Sequence, residues 1–233
     1  MIEKDIKIQV CDVHKTFDVG TNKIGVLRGV SFDVYEEDFL VIVGPSGCGK
    51  STLLNVLVGL EKPTAGKVIF GSRNLYSLSE NARAVLRLHE IGMVHQMSYW
   101  IKSLNVLENI ALPLFIRGIK EKHALDKAKE VMRSMDIESY ARQIPTQLSG
   151  GQQQCVNLAR AVVTNPSLII ADEPTGNLDS TSSDQIMSRL NALNKESKRT
   201  VILVTHNQAY WGMGTRKLEM RDGMVVKDSK GVR

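Results

Sequence analysis

One stretch constrains the fold of this chain more than any other: Asp38-Phe39-Leu40-Val41-Ile42-Val43, then Gly44-Pro45-Ser46-Gly47-Cys48-Gly49-Lys50-Ser51-Thr52, then Leu53-Leu54-Asn55-Val56-Leu57. The first part is a short apolar, β-rich run and the last reads as helix, so the glycine-rich middle is a strand-to-helix turn. That middle matches the G-x-x-x-x-G-K-[ST] pattern, in which loop N–H groups and a helix N-terminus converge on phosphate oxygens. A plain surface turn has no need of a buried strand before it and a helix after it. The expectation is that Gly44, Pro45, Ser46, Gly47, Cys48, Gly49, Lys50, Ser51 and Thr52 bind nucleotide phosphates. Lys50 supplies the point charge, and the Ser51 hydroxyl serves Mg²⁺.

Composition sets the outer limits. The chain has 233 residues, 42% hydrophobic and 24% charged, enough for one large domain or two closely packed subdomains around a sizeable core. No apolar run reaches the roughly 18 residues that a membrane-spanning helix needs, and Met1-Ile2-Glu3-Lys4-Asp5 lacks the basic-then-apolar order of a signal peptide. A cytoplasmic protein is expected. Cys11, Cys48 and Cys155 are odd in number and lack paired Cys or His spacing, so they read as reduced thiols rather than a disulfide framework or zinc site. The net charge of +5 is mild and scattered, which does not indicate a nucleic-acid partner and suits a surface near anionic lipid equally well.

Along the chain the pattern passes from strands to helices and back. Residues 6–13 and 24–34 alternate apolar with polar, as an antiparallel edge sheet would. After the glycine loop and its helix to about 60, Lys67-Val68-Ile69-Phe70 reads as a strand following the turn Pro63-Thr64-Ala65-Gly66. Residues 97–160 read as a mainly helical subdomain, with amphipathic stretches at 105–118 and 121–135. Leu168-Ile169-Ile170-Ala171 and Val201-Ile202-Leu203-Val204 are continuous apolar runs, as expected of parallel strands covered on both faces. The fold expected is α/β: a nucleotide-binding core with a β edge over about 1–96 and 161–233, and an inserted helical subdomain over about 97–160.

Asp172-Glu173 ends the apolar run at 168–171, so the strand delivers two carboxylates to the crevice where open α/β sheets bind ligands. One carboxylate suits Mg²⁺; its neighbour can polarise water for in-line displacement at phosphorus.

A second motif lies about a hundred residues beyond the glycine loop: Leu148-Ser149-Gly150-Gly151-Gln152. It resembles the signature of the ATP-binding-cassette (ABC) superfamily, and with it the whole chain from about residue 6 to 226 is similar to ABC ATPases, which share a P-loop NTPase (RecA-like) core. The resemblance implies an ATP- and Mg²⁺-dependent hydrolase that dimerises around two nucleotides. Ser149, Gly150, Gly151 and Gln152 would then act on the ATP of the other copy. Asp172 looks like the Mg²⁺-site aspartate and Glu173 like the catalytic glutamate. Gln96 matches the glutamine that contacts Mg²⁺ and the lytic water. His206 matches the histidine on the γ-phosphate, and Asp179 falls in the loop that crosses the dimer interface. Phe17 stands where an aromatic stacks on adenine; the usual tyrosine is replaced, but stacking needs only the ring face.

Within the superfamily the motifs look most like the lipoprotein-release and macrolide-export branch. That implies a homodimer or pseudo-dimer of ATPase subunits held at the cytoplasmic face of the membrane by an integral-membrane partner, working in export or mechanotransmission. Met97-Ser98-Tyr99-Trp100-Ile101 lies where related proteins form a groove for a partner helix, and packing of Trp100 inside the helical subdomain is an equal alternative. Two residues depart from the family pattern: Cys155 stands where arginine is common, and His95 where an aromatic is. Cys155 reads as a small buried hydrophobe rather than a redox switch. A soluble ABC ATPase acting on nucleic acid or ribosomes is the alternative reading, but the chain lacks a long coiled-coil insertion, zinc pairs or a tandem cassette. A small-molecule P-loop kinase would account for Lys50 and Asp172, but not for the signature run.

Overall fold

The computed structural model describes residues 5–97 and 99–230. Ser98 of the proposed groove segment and most of the stretch inspected for a signal peptide lie outside that range. The fold is mixed α/β, and the chain divides into two compact units: residues 1–87 with 193–233, and residues 88–192.

The first unit carries two sheets. In one, β1 (Ile6–Val19) pairs antiparallel with β2 (Asn22–Tyr35) and with β4 (Ala65–Phe70), which pairs in turn with β5 (Arg73–Asn74). In the other, β3 (Phe39–Val43) lies parallel to β8 (Thr200–Val204) on one side and to β9 (Arg216–Arg221) on the other. β10 (Met224–Lys230) returns antiparallel along β9. Every residue of β3 and β8 is buried, which is why both read as unbroken apolar runs rather than alternating ones. Helix α1 (Lys50–Leu57) follows β3 and buries Leu53, Leu54, Val56 and Leu57.

Strands β1 and β2 run further than the alternation predicts. The register slips between Val10 and Val13, between Val13 and Lys15, and between Lys15 and Thr16. Each slip breaks the period-2 pattern, so the strand continues where the sequence signal stops.

In the second unit β6 (Ile91–Val94) and β7 (Leu168–Asp172) form a parallel pair. The helices are α3 (Val106–Ile116), α4 (Glu121–Ser134) and α5 (Gly150–Val162), with turns between them in place of a continuous helical stretch. Helices α2 (Glu80–Glu90) and α6 (Ser180–Lys195) run through the two unit boundaries. α3 starts on a reciprocal cap: the Glu108 N–H donates to Asn105 Oδ1 at 2.9 Å and the Asn105 N–H to Glu108 Oε2 at 2.8 Å.

Asn109, fully buried one turn in, ties the preceding loop to this helix. Its Nδ2 donates to the carbonyls of Ile101, Leu104 and Asn105, and its Oδ1 accepts from the Ile101 N–H at 3.0 Å. Asn109→Leu keeps the volume and removes every one of these bonds. The orphaned loop groups should cost about 2–3 kcal/mol, read as a lowered urea midpoint; a change below about 0.5 kcal/mol, the ordinary surface range, would show that the loop does not depend on this amide.

Candidate functional site

In the first unit the glycine loop, residues 44–49, leaves β3 and enters α1. Gly44 takes φ +156° and Gly49, at the helix N-cap, +103°. No side chain caps this helix and no acid sits in its first turn, so the leading N–H groups and the dipole are left for an anion. Lys50 is buried, and its Nζ donates to the carbonyls of Gly44 and Pro45, both at 2.9 Å. The ammonium is thereby pinned across the loop. The Cys48 thiol is buried 4.0 Å from Nζ. Ser51 is exposed at the helix start and Thr52 is half-buried.

β3 and β8 are parallel and in register, Ile42 opposite Val204, so the chain leaves both strands at the same edge. His206 emerges there, exposed, just past buried Thr205, whose N–H reaches the Ile42 carbonyl and whose hydroxyl accepts from the Asn207 N–H. Phe17 lies half-buried near the end of β1.

The second unit repeats the device. Val94 of β6 pairs with Ala171 of β7, so His95-Gln96 and Asp172-Glu173 leave their strands side by side. A Cβ at Gly176 would meet Gln96 Nε2 at 2.6 Å, which places the Gln96 amide against the loop that follows Glu173. Glu173 itself takes φ +46°, a left-handed conformation that costs a non-glycine residue about 1–3 kcal/mol. The loop closes through the Gly176 N–H to the Glu173 carbonyl. Asp179 caps α6, accepting from the Ser182 N–H at 2.9 Å and the Ser182 hydroxyl at 2.7 Å. These two bonds hold its carboxyl below the usual carboxylate range.

The Leu148–Gln152 turn is a capping box at the start of α5: Ser149 Oγ accepts from the Gln152 N–H, and Gln152 Oε1 accepts from the Ser149 N–H. Ser149 and Gly150 are exposed. A Cβ at Gly151 would lie 2.4 Å from Ser182 Oγ, so this turn and the first turn of α6 are neighbours.

Two residues to which the sequence assigned no role of their own hold the chain ahead of Gln96. Buried Gln154 and Asn157 on α5 both donate to the His95 carbonyl at 3.1 Å, fixing the backbone immediately before Gln96. Their signal was present in the sequence, as amides three apart on an otherwise apolar helical face. The His95 ring meets Tyr99 edge-on, and burial holds its imidazole below the ordinary value, against a smaller upward pull from Asp172. Cys155 is buried, and burial pushes its thiol up, as suits a small hydrophobe. Trp100 and Tyr99 part company. Trp100 packs within the unit, its Nε1 donating to Gln153 and its ring under Arg160 at 4.6 Å, whereas Tyr99 is 71% exposed.

The phosphate-loop pattern, the capped Ser-Gly-Gly turn and two pairs of aligned parallel strand ends are features with known counterparts. A family model described as "ABC transporter" matches residues 27–176, more than half of the chain. The chain belongs to the ABC transporter family. An uncharacterized ABC transporter ATP-binding protein of Methanocaldococcus jannaschii is 41% identical over 220 residues, covering 94% of this chain and 98% of its own. Two solved structures of the cassette MJ0796, each described as dimeric, superpose with TM-score 0.90 at 36% and 37% identity, covering 97% of this chain and 99% of theirs. One of them is a post-hydrolysis state bound to ADP and Pi. The fold and the ATPase class expected from the sequence both hold for this cassette.

Glycine is required in its phosphate loop for two different reasons. A Cβ at Gly44 would lie 2.3 Å from the Met220 carbonyl oxygen, whereas one at Gly47, φ +78°, would meet nothing within 4 Å. Gly47→Ala should therefore cost only the backbone strain of about 1–2 kcal/mol. Gly44→Ala must also move backbone, costing about 3 kcal/mol. Equal losses in urea denaturation would contradict the packing.

Proposed function

We propose that this chain is the nucleotide-binding subunit of an ABC transporter, hydrolysing ATP in a dimer whose two sites are each built from both copies. The observation that carries the reading is the pairing of strand ends. In one unit it sets the phosphate loop beside His206; in the other it sets Gln96 beside Asp172 and Glu173.

In this reading the loop amides and Lys50 hold the β- and γ-phosphates, and Phe17 stacks on adenine. Ser51, Gln96 and Asp172 offer a hydroxyl, an amide carbonyl and a carboxylate, an all-oxygen donor set that fits Mg²⁺. When bound, that ion neutralises phosphate charge and helps align in-line displacement. Glu173 orients the attacking water and takes up its proton as the oxygen bonds to phosphorus. His206 steadies the γ-phosphate. Ser149, Gly150, Gly151 and Gln152 of the second copy complete the site, and Asp179 lies at the interface between copies.

No helix among the described residues is long and apolar enough to cross a membrane; the similarity to transporter ATPases favours an integral-membrane subunit as the partner. Met97, Tyr99 and Ile101 are exposed apolar residues close behind Gln96, and we assign them to contact with that subunit. The similarity of the motifs to the lipoprotein-release and macrolide-export branch favours export or mechanotransmission, with the chain at the cytoplasmic face of the membrane.

Glu173→Gln keeps the shape and removes the proton acceptor. ATP should still bind while turnover falls by about 10²-fold or more, as when a general base is lost. Hydrolysis within a few-fold of the parent, measured as phosphate release, would overturn the assignment.

The shared site has its own test. Lys50→Ala and Ser149→Arg proteins, each inactive alone, should recover activity on mixing, because one of the two sites in a mixed dimer is undamaged. Mixed dimers that form and hydrolyse nothing would show that the two copies do not complement in this way.

A further inference from the structure

Lys15 lies outside every motif discussed above, yet it joins two parts of the candidate site within the first unit. It sits two residues before Phe17 on β1, so both side chains leave the same face of the strand. Its Nζ lies 4.7 Å from the centroid of the Phe17 ring. The side chain is only 12% exposed; Nζ donates to the Lys62 carbonyl at 2.8 Å and pairs with the Glu61 carboxylate.

Residues 61 and 62 belong to the segment that follows the phosphate-loop helix α1. Further bonds bind this segment to β1: the Thr64 N–H donates to the His14 carbonyl at 2.8 Å, and the Thr16 N–H to Thr64 Oγ1 at 2.9 Å. The β1–β2 register also slips here, with Lys15 opposite Leu27 but Thr16 opposite Gly25. Val26 is the extra residue, and its carbonyl lies 2.9 Å from where a Cβ of Gly49 would stand. The β1–β2 hairpin bearing the Phe17 ring thus approaches the phosphate loop closely at Val26 and is bonded through His14 and Thr16 to the segment that follows its helix.

We propose that Lys15 is a positioning residue for the nucleotide base: its ammonium covers one face of the Phe17 ring and commits the opposite face to a purine. The proposal rests on the reading of Phe17 as the base-stacking residue. A ring and a purine stacked face to face oppose two electron-rich surfaces. A cation behind the ring draws its π density away from the purine and weakens that repulsion. A ring already held in place also loses less freedom when the base arrives. Glu61 and the Lys62 carbonyl keep the ammonium from turning away to solvent.

The test compares binding of ADP and of inorganic pyrophosphate, which has the phosphates without the base, by calorimetry on the full chain. Lys15→Met should weaken ADP by about five- to tenfold, the size of a partly desolvated cation–π contact, and leave pyrophosphate affinity unchanged. Lys15→Arg should retain ADP affinity, because a guanidinium also stacks on an aromatic face. Phe17→Ala should weaken ADP and make Lys15→Met without further effect.

Equal weakening of both ligands by Lys15→Met would assign the residue to the fold and overturn the proposal. So would loss in Lys15→Arg matching that in Lys15→Met, or the same loss from Lys15→Met in the Phe17→Ala background. If Phe17→Ala weakens ADP while Lys15→Met does not, only the role of Lys15 fails. If Phe17→Ala leaves ADP affinity unchanged, the base-stacking reading fails first and takes this inference with it.

Discussion

Parallel pairing in register is the constraint on which the candidate site depends. Two parallel strands of matched length must release their chains at one edge, and whatever residues follow are brought within a few ångströms without further design. The chain uses this twice, at Ile42 with Val204 and at Val94 with Ala171. Burial enforces the register. β3 and β8 are covered along their whole length, so a slip of one residue would turn every side chain into the packing of the opposite face. Within each unit, the positions of the residues that follow, 44–52 and 206 in one and 95–96 and 173 in the other, are thus set by a mostly apolar strand pair.

Helix α5 shows how polar groups serve position as well as reactivity. Gln154 and Asn157 lie inside the protein, where an unmatched amide would be costly, and both aim at one carbonyl, that of His95. Their partner is the residue before Gln96. The same helix presents Ser149 and Gly150 to the outside on its first turn. One rigid element therefore fixes the Gln96 backbone at its buried middle and the exposed turn at its end.

Much of this was legible in the sequence, because the central features are local. A strand, a glycine loop and a helix in succession, or two carboxylates at the end of an apolar run, need no tertiary information to be read. What stayed hidden is non-local. The bulge between Val10 and Val13 concealed the true extent of β1, since its extra residue shifts the inward face of that strand, and the slips after Val13 do the same to β2. The division between Trp100, held by Gln153 and Arg160, and exposed Tyr99 depends on where α5 packs. Lys15 gave no signal because its partners, Glu61 and Lys62, lie more than forty residues away.

The capping box at Ser149 has a consequence for how two copies could meet. The cap uses one lone pair of Ser149 Oγ and one of the Gln152 side-chain oxygen, while the N–H groups of Ser149 and Gln152 are each spent on the other's side chain. What the turn has left to offer is the Ser149 hydroxyl proton and the first amide hydrogens of the helix, at its positive end. Such a surface is richer in donors than in acceptors. The phosphate loop also opens a helix, so in the proposed dimer two positive helix ends would face each other and repel if pressed together empty. In that proposed arrangement a polyanion between the two ends turns the mismatch into adhesion, which makes association conditional on the anion and lets it lapse when the anion shortens or leaves.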